Sequence, residues 1–202
     1  PVTTPSSLRQ AGGELPAPAG DGERRQLTVL FADIVGATPL SAELDPEALR
    51  ALLRAYQQVC GECIERYGGT LHQYAGDGVL AYFGFPAAHD NDAERAVRAG
   101  LDIAAGVRRM AGSAQLADGT EIAVRIGVHT GEPTRTTAGY TGLDVTRGAR
   151  IKEAGHGGQV LLSKSTAALI EDALISGLSR RDLGAHRLKG LPRPERVFQL
   201  VI

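Results

Sequence analysis

The order of apolar patterns along the chain constrains its fold more than any other feature of the sequence. A nearly continuous apolar run from Leu27 to Ala32, ending at Asp33, is typical of a buried central strand. From Pro46 to Tyr67 the apolar residues recur at steps of three and four, which indicates an amphipathic helix. Asp45 and the proline after it favour a helix start at this point, and the two glycines after Tyr67 favour its end.

The same alternation continues along the chain. Two strands, Thr70 to Tyr74 and Val79 to Phe83, flank a glycine-rich tight turn that suits a hairpin. A second helix from about Asp90 to Met110 and a fourth strand from Ile122 to His129 follow. The order strand, helix, strand, strand, helix, strand predicts an α+β fold of the ferredoxin-like (βαββαβ) kind, with helices packed on one face of an antiparallel sheet.

The segments on either side of this core complete the expected domain. Residues 1–23 are rich in Pro, Gly, Ala and Ser, which predicts a flexible linker or tail and one domain over residues 24–202. The C-terminal αβ extensions are expected as a loop to Tyr140, a helix near Leu143 to Ala154, a strand from Gln159 to Leu162, a helix after Ser163, and closing strands around Arg187 and from Val197 to Val201.

The charge balance limits the partners of the chain. The formal net charge of -1, from 22 basic and 23 acidic residues, gives no basic footprint for general nucleic-acid binding. No apolar stretch approaches the roughly 20 residues that a membrane-spanning helix needs, and no secretion signal opens the chain. We therefore expect a cytoplasmic protein without a nucleic-acid partner or a membrane segment. Because the chain begins at Pro1 rather than Met, we also expect it to be fused to other domains.

Two carboxylates form the main candidate site. If the first strand lies beside the hairpin strands, Asp33 and the turn residue Asp77 meet at one edge of the sheet. Each residue alone is ordinary turn chemistry, but a pair of carboxylates suits two Mg²⁺ or Mn²⁺ ions, which take further ligands from water and substrate phosphates. Gly36, Ala37 and Thr38 then lead into a proline that favours a helix start, where backbone amides could receive a triphosphate.

Both aspartates lie in stretches that resemble the metal motifs of class III adenylate and guanylate cyclases: FADIVGATPLS contains Asp33, and HQYAGDGVLAYFG contains Asp77. The resemblance runs from about Arg24 to Ile202 and includes VRIGVHTGEP, GYTGLDVTRGARI, GHGGQVLLS and LKGLPRPERVFQL. It implies the class III nucleotide cyclase fold and a homodimer with its sites at the interface. It also implies attack of the ribose 3′-hydroxyl on the α-phosphate of ATP or GTP, with two metal ions assisting and pyrophosphate leaving.

The resemblance assigns roles to individual residues of this chain. Its metal site comprises Asp33, Ile34 and Asp77, and its catalytic residues correspond to Thr146, Arg150 and Lys189. Arginine offers a fork of donors that suits a phosphate in transition. The arginine and the metal aspartates of one site are expected to come from different protomers.

Three positions depart from the family pattern. Gln73 stands where the adenine-selecting lysine is usual, Gly139 where its acidic partner is usual, and Thr146 where an asparagine is usual. An amide can still hydrogen-bond a purine, but it brings no charge. We therefore expect a purine nucleotide cyclase, with ATP favoured over GTP and weak activity. The alternative is a cyclase-like regulatory module that binds nucleotide or dimerises with little turnover.

Overall fold

A computed structural model describes residues 22–35, 44–75, 77–113, 122–170 and 178–201. The predicted tail, apart from its last two residues, and the predicted triphosphate-binding residues Gly36, Ala37 and Thr38 lie outside these ranges. The elements are β1 (Leu27–Val35), α1 (Pro46–Arg66), β2 (Thr70–Ala75), β3 (Gly78–Phe83), α2 (Asp92–Ser113), β4 (Ala123–Gly131), β5 (Thr134–Thr136), β6 (Gly139–Thr141), α3 (Leu143–Glu153), β7 (Val160–Ser163), α4 (Lys164–Leu169), β8 (Ser179–His186) and β9 (Glu195–Val201).

Seven of the strands form one sheet in the order β2-β3-β1-β4-β7-β9-β8. The first four neighbours pair antiparallel, which is the strand order of a ferredoxin-like core. The extension continues the sheet, because β7 pairs parallel with β4 and β9 pairs antiparallel with β7. The predicted fold class is therefore confirmed, including the position of the first strand beside the hairpin.

The two faces of the sheet carry different helices. On β1 the side chains of Leu30, Ala32 and Ile34 join the main core, which α1 and α2 cover. Val29 and Phe31 lie on the opposite face, where α3 packs so closely that a Cβ at Gly148 would lie 2.7 Å from Val29 and 3.1 Å from Phe31. The prediction of helices on one face thus holds for α1 and α2, whereas α3 covers the other face. Asp33 follows the strand alternation onto the α3 face.

Several element boundaries differ from the sequence predictions, and three of the differences concern the site and the edge of the sheet. Asp33 does not end its strand. The pairing of β1 with β4 continues to Val35, and Ile34, the residue after Asp33, is buried. The predicted loop before Tyr140 contains the short β5–β6 hairpin. The strand predicted around Arg187 ends one residue earlier, at His186, and its exposed polar residues conceal the usual alternation because it lies at the sheet edge.

The described helices include none with the length and apolar character needed to span a bilayer. Helix α1 begins as predicted, with the Asp45 side chain accepting hydrogen bonds from the backbone of Glu47 and Ala48, both at 2.9 Å. Its cysteines, Cys60 and Cys63, are free and buried.

Close packing of α3 on β4 predicts a strong effect of one methyl group. A Cβ at Gly127 would lie 2.4 Å from the backbone nitrogen of Lys152 and 2.8 Å from the carbonyl oxygen of Gly148. Gly127→Ala must push α3 off the sheet, so we expect it to lower the free energy of unfolding by about 1–3 kcal/mol in urea titrations. The control Gly100→Ala, in the α2 interior with its nearest contact at 3.4 Å, should leave stability unchanged or slightly raised. Equal stability of both variants would contradict this account of the packing.

Candidate active site

The two predicted aspartates meet in one cavity on the α3 face of the sheet. The register of β1 and β3 pairs Asp33 with Gly78, the residue after Asp77. A cavity of about 340 Å³ is lined by both carboxylates, by Gln73 of β2 and by Lys152 of α3. The pairing of β1 with the hairpin imposes this geometry. The geometry is consistent with the sequence prediction that these two carboxylates lie together.

Asp33 is buried and is held by two cations. Its Oδ2 atom accepts hydrogen bonds from Arg125 Nη2 at 2.8 Å, Arg125 Nε at 3.2 Å and Lys152 Nζ at 3.0 Å. Only 7% of the residue is exposed. A carboxylate buried to this degree is costly unless it is paired, so the two cations stabilise its ionised form.

Sequence reasoning missed both of these cations. Arg125 lies within the stretch VRIGVHTGEP, and β4 places it directly opposite Asp33. It is the one Arg, Lys, Asp or Glu residue of β4, and that charge in a buried strand was a signal that could have identified it. Lys152 gave no such signal, because only the packing of α3 brings it to the aspartate.

The two carboxyl groups titrate differently. Burial raises the pKa of Asp33, but the hydrogen bonds from Arg125 and Lys152 outweigh it and hold the pKa below its usual value. Burial, and then the negative charge of Asp33, raise the pKa of Asp77. Asp77 is therefore the carboxyl group of the pair that more readily holds a proton. The two pKa values separate because both cations donate to Asp33, whereas Asp77 lies beside the negative charge of Asp33.

The donor set fits hard divalent cations. Within the described ranges no group of three or more His, Cys, Asp or Glu residues is arranged to hold a metal ion, so at this site the pair would supply the carboxylate ligands. Oxygen ligands with room for water and phosphate suit Mg²⁺ and Mn²⁺. The side chain of Ile34, the third predicted metal residue, is buried in the core with 3% of the residue exposed. Ile34 could therefore contribute only its backbone carbonyl.

The predicted catalytic residues do not line this cavity. Arg150 lies on α3 and donates from Nη1 to Glu153 at 2.5 Å, while Thr146 donates to the carbonyl of Gly142 at 3.2 Å. Lys189 is exposed in the turn between β8 and β9. The aspartates of one chain are thus separate from its own Thr146, Arg150 and Lys189.

The two predicted base-selecting positions lie on neighbouring parts of the same face. Gln73 is exposed and lines the cavity beside the aspartates. Gly139 begins β6 with a φ of +117°, and the ring of His72 lies directly against it. A side chain at position 139 would be strained by that backbone angle and would collide with the imidazole.

Lys152 is expected to compete with a metal ion for Asp33. Removing its ammonium group in Lys152→Met makes the cavity more negative, so Mn²⁺ should bind about tenfold more tightly without nucleotide. Calorimetric titration with Mn²⁺ measures the change. Lys164→Met, which removes an exposed lysine from α4, is the matched control and should bind Mn²⁺ like the parent. Unchanged or weaker binding by Lys152→Met would show that Lys152 does not oppose the metal.

Comparisons with known proteins agree on one family. The adenylate and guanylate cyclase catalytic domain model matches residues 21–201. An uncharacterised protein of Mycobacterium tuberculosis is 34% identical over 176 residues, which are 86% of this chain and 55% of that protein. The chain therefore spans about half the length of this curated relative.

Two solved structures are similar over nearly their whole length. The adenylyl cyclase CyaB from P. aeruginosa superposes with a TM-score of 0.81 and 32% identity, over 90% of this chain and 96% of that one. The guanylyl cyclase Cya2 superposes with a TM-score of 0.78 and 28% identity, over 90% and 94%. One of these relatives is thus described as an adenylyl cyclase and the other as a guanylyl cyclase.

Proposed function

Because the chain belongs to the family of adenylate and guanylate cyclase catalytic domains, we propose that it converts ATP to cyclic AMP and pyrophosphate. The reaction makes it a phosphorus-oxygen lyase, with GTP as a second substrate and with turnover lower than that of a full-pattern cyclase. The observation that carries the proposal is the cavity in which Asp33 and Asp77 lie together, with Arg125 and Lys152 beside them.

The proposed reaction needs negative and positive groups in one place. The 3′-oxygen of the ribose bonds to the α-phosphorus, the bond from that phosphorus to the pyrophosphate oxygen breaks, and the 3′-hydroxyl proton passes to solvent. Two Mg²⁺ or Mn²⁺ ions held by Asp33 and Asp77 would supply charge neutralisation for the attacking and leaving oxygens. Arg125 and Lys152 offer donors to the triphosphate once their hold on Asp33 is relaxed.

We further propose that two protomers complete each site. Arg150 has a buried Nε atom without a hydrogen-bond partner in the described part of the chain, and it does not line its own chain's cavity. A partner protomer that brings its Arg150 to this cavity would supply the donor that stabilises charge on the reacting phosphate. Lys189, exposed in its turn, would reach the triphosphate tail in the same assembly. The domain would work in the cytoplasm, fused to the domains that regulate it.

A regulatory module with little turnover is the second candidate. It is favoured by Gly139, which has no acidic group, and by Thr146, whose hydroxyl is engaged within its own helix. Loss of one preorganised donor costs about 10²- to 10³-fold in turnover. Such a module would bind the nucleotide through the same aspartates without completing the reaction.

The assay that tests the proposal offers ATP and GTP separately, each with Mg²⁺ and with Mn²⁺, over a range of protein concentrations. We expect cyclic nucleotide and pyrophosphate in equal amounts, and a rate per protomer that rises with concentration as dimers form. Chelation of the metal should stop the reaction. Binding of a non-cyclisable ATP analogue without product from either nucleotide would favour the regulatory module, and neither binding nor product would refute both candidates.

A further inference from the structure

A buried histidine on β4 contacts the helix that carries two of the predicted catalytic residues. We propose that His129 is a positioning residue for the proposed reaction: through Asp144 it fixes the start of α3, and with it the direction in which this helix presents Arg150 to a partner protomer. The inference rests on the proposed function and deepens it, because it names the side chain that orients the arginine.

His129 is nearly inaccessible to solvent, and both nitrogens of its ring have polar neighbours. Only 3% of the residue is exposed. Its Nε2 atom lies 3.2 Å from Oδ1 of Asp144, and its Nδ1 atom lies 3.4 Å from Oγ of Ser165. Because an ionised carboxylate only accepts hydrogen bonds, Nε2 must carry a proton in the contact with Asp144. A Cβ at Gly131 would lie 2.5 Å from Cγ of Asp144, so the pair is packed directly against β4.

Asp144 ties the first turn of α3 to β4. Its Oδ1 atom accepts hydrogen bonds from His129 and Arg147, and its Oδ2 atom accepts one from the backbone nitrogen of Glu132 at 2.9 Å. Gly142, the residue before the helix, has no side chain that could cap it, so Asp144 holds this end of α3 in place of a cap. The hydrogen bond from His129 is also the largest cause that lowers the pKa of Asp144 to about 2.

Arg147 extends this cluster to the last strand. Its Nη1 atom donates to Asp144, and its Nε atom lies 3.0 Å from Oε2 of Glu195, in an ion pair that lacks the geometry of a hydrogen bond. Glu195 begins β9, at the end of the turn that carries Lys189. The imidazole, the guanidinium and the two carboxylates thus join β4 to both segments that carry predicted catalytic residues.

The geometry of α3 transmits this anchor to Arg150. Asp144 and the buried Ile151 lie on the side of the helix that faces the sheet. Thr146 and Arg150 are four residues apart and share an adjoining side. Because α3 has only 11 residues, a rotation at its first turn also moves the arginine. Misplacing a catalytic group by about 1 Å can cost about 10²-fold in rate, so His129 affects turnover without touching the nucleotide.

The first test separates positioning from stability. His129→Leu keeps an apolar side chain but no donor, so we expect kcat to fall about 10- to 10²-fold, with KM and Mn²⁺ affinity close to those of the parent. His129→Gln, which keeps a donor near the position of Nε2, should recover most of the rate. In NMR titrations the pKa of Asp144 should rise toward its usual value in His129→Leu and stay below it in His129→Gln.

Val128→Ala is the matched control, because Val128 is the preceding residue of β4 and is buried in the core on the other face of the sheet. It should lower the free energy of unfolding but leave the kcat of the folded protein unchanged. A parent-like kcat in His129→Leu would overturn the proposal. An equal loss of kcat in Val128→Ala, or a loss that His129→Gln does not recover, would indicate a structural role and would overturn it too.

Mixing experiments then identify the part of the shared site that His129 affects. His129→Leu keeps its own aspartates and disturbs only the arginine that it gives to its partner. A mixture with Asp33→Asn should therefore regain about a quarter of the parent's rate, since half of the dimers are mixed and each has one intact site. A mixture with Arg150→Ala should regain none. Recovery with Arg150→Ala, or with neither variant, would overturn the positioning role. A parent chain that forms no cyclic nucleotide would instead remove the proposed function, and the positioning role with it.

Discussion

Asp33→Asn should lower cyclic nucleotide formation by about 10²- to 10³-fold while the chain stays folded. The amide has nearly the shape of the carboxylate but none of its charge, so the cavity loses half of its carboxylate ligands for a divalent ion. Asp77 alone would then have to balance the metal, with Arg125 and Lys152 still close by. We therefore expect Mn²⁺ affinity to fall together with the rate. Product formation and calorimetric Mn²⁺ titration measure the two effects.

Asp45→Asn provides a control with the same chemical change. Asp45 caps α1 through its side-chain oxygen, and asparagine is an equally good N-cap residue. Activity, Mn²⁺ affinity and the free energy of unfolding should therefore match those of the parent. If Asp33→Asn retains the parent's rate and Mn²⁺ affinity, the assignment of Asp33 to the metal site is wrong. If it unfolds at ambient temperature, Asp33→Glu, which keeps the charge on a longer side chain, should retain Mn²⁺ binding.

Arg150→Ala should reduce turnover by about 10²- to 10³-fold, because it removes a donor to the charge that develops on the phosphate. The loss of turnover in Arg150→Ala would have a different cause from the loss in Asp33→Asn, since Arg150 does not line its own chain's cavity. If each site joins the aspartates of one protomer to the arginine of another, the two inactive variants can complement each other. A mixture in equal amounts forms half mixed dimers with one intact site each, so about a quarter of the parent's rate should return.

The mixing experiment discriminates between sites within and between protomers. Recovery requires that both substitutions fall in the same site of the mixed dimer, which leaves the other site intact, so a mixture as inactive as its components would refute the shared site. Arg54→Ala removes an exposed arginine from α1, on the face of the sheet that α3 does not cover. By itself, Arg54→Ala should have the parent's rate. A mixture of Arg54→Ala with either inactive variant should show only the rate that the Arg54→Ala protein contributes.

Local patterns were sufficient for the frame of the fold. The apolar run of β1, the helical periodicity of α1 and α2, and the glycine-rich hairpin are properties of short segments, and each segment forms the predicted element. Their order then restricts the topology to a few arrangements. The sequence predicted the elements less well where the local pattern was weak. The β5–β6 hairpin has strands of three residues, and β8 has exposed polar residues at the sheet edge.

The sequence by itself determined that Asp33 lies on a strand beside the hairpin whose turn carries Asp77, because the pairing of β1 with a hairpin follows from the order of elements. Only the tertiary structure decided what surrounds them. Arg125 and Lys152 reach Asp33 across separations of 92 and 119 residues, and a one-residue bulge in β2 turns His72 toward Gly139. Such contacts depend on strand register and on which face α3 covers, and a register shift of one residue moves every side chain to the other face.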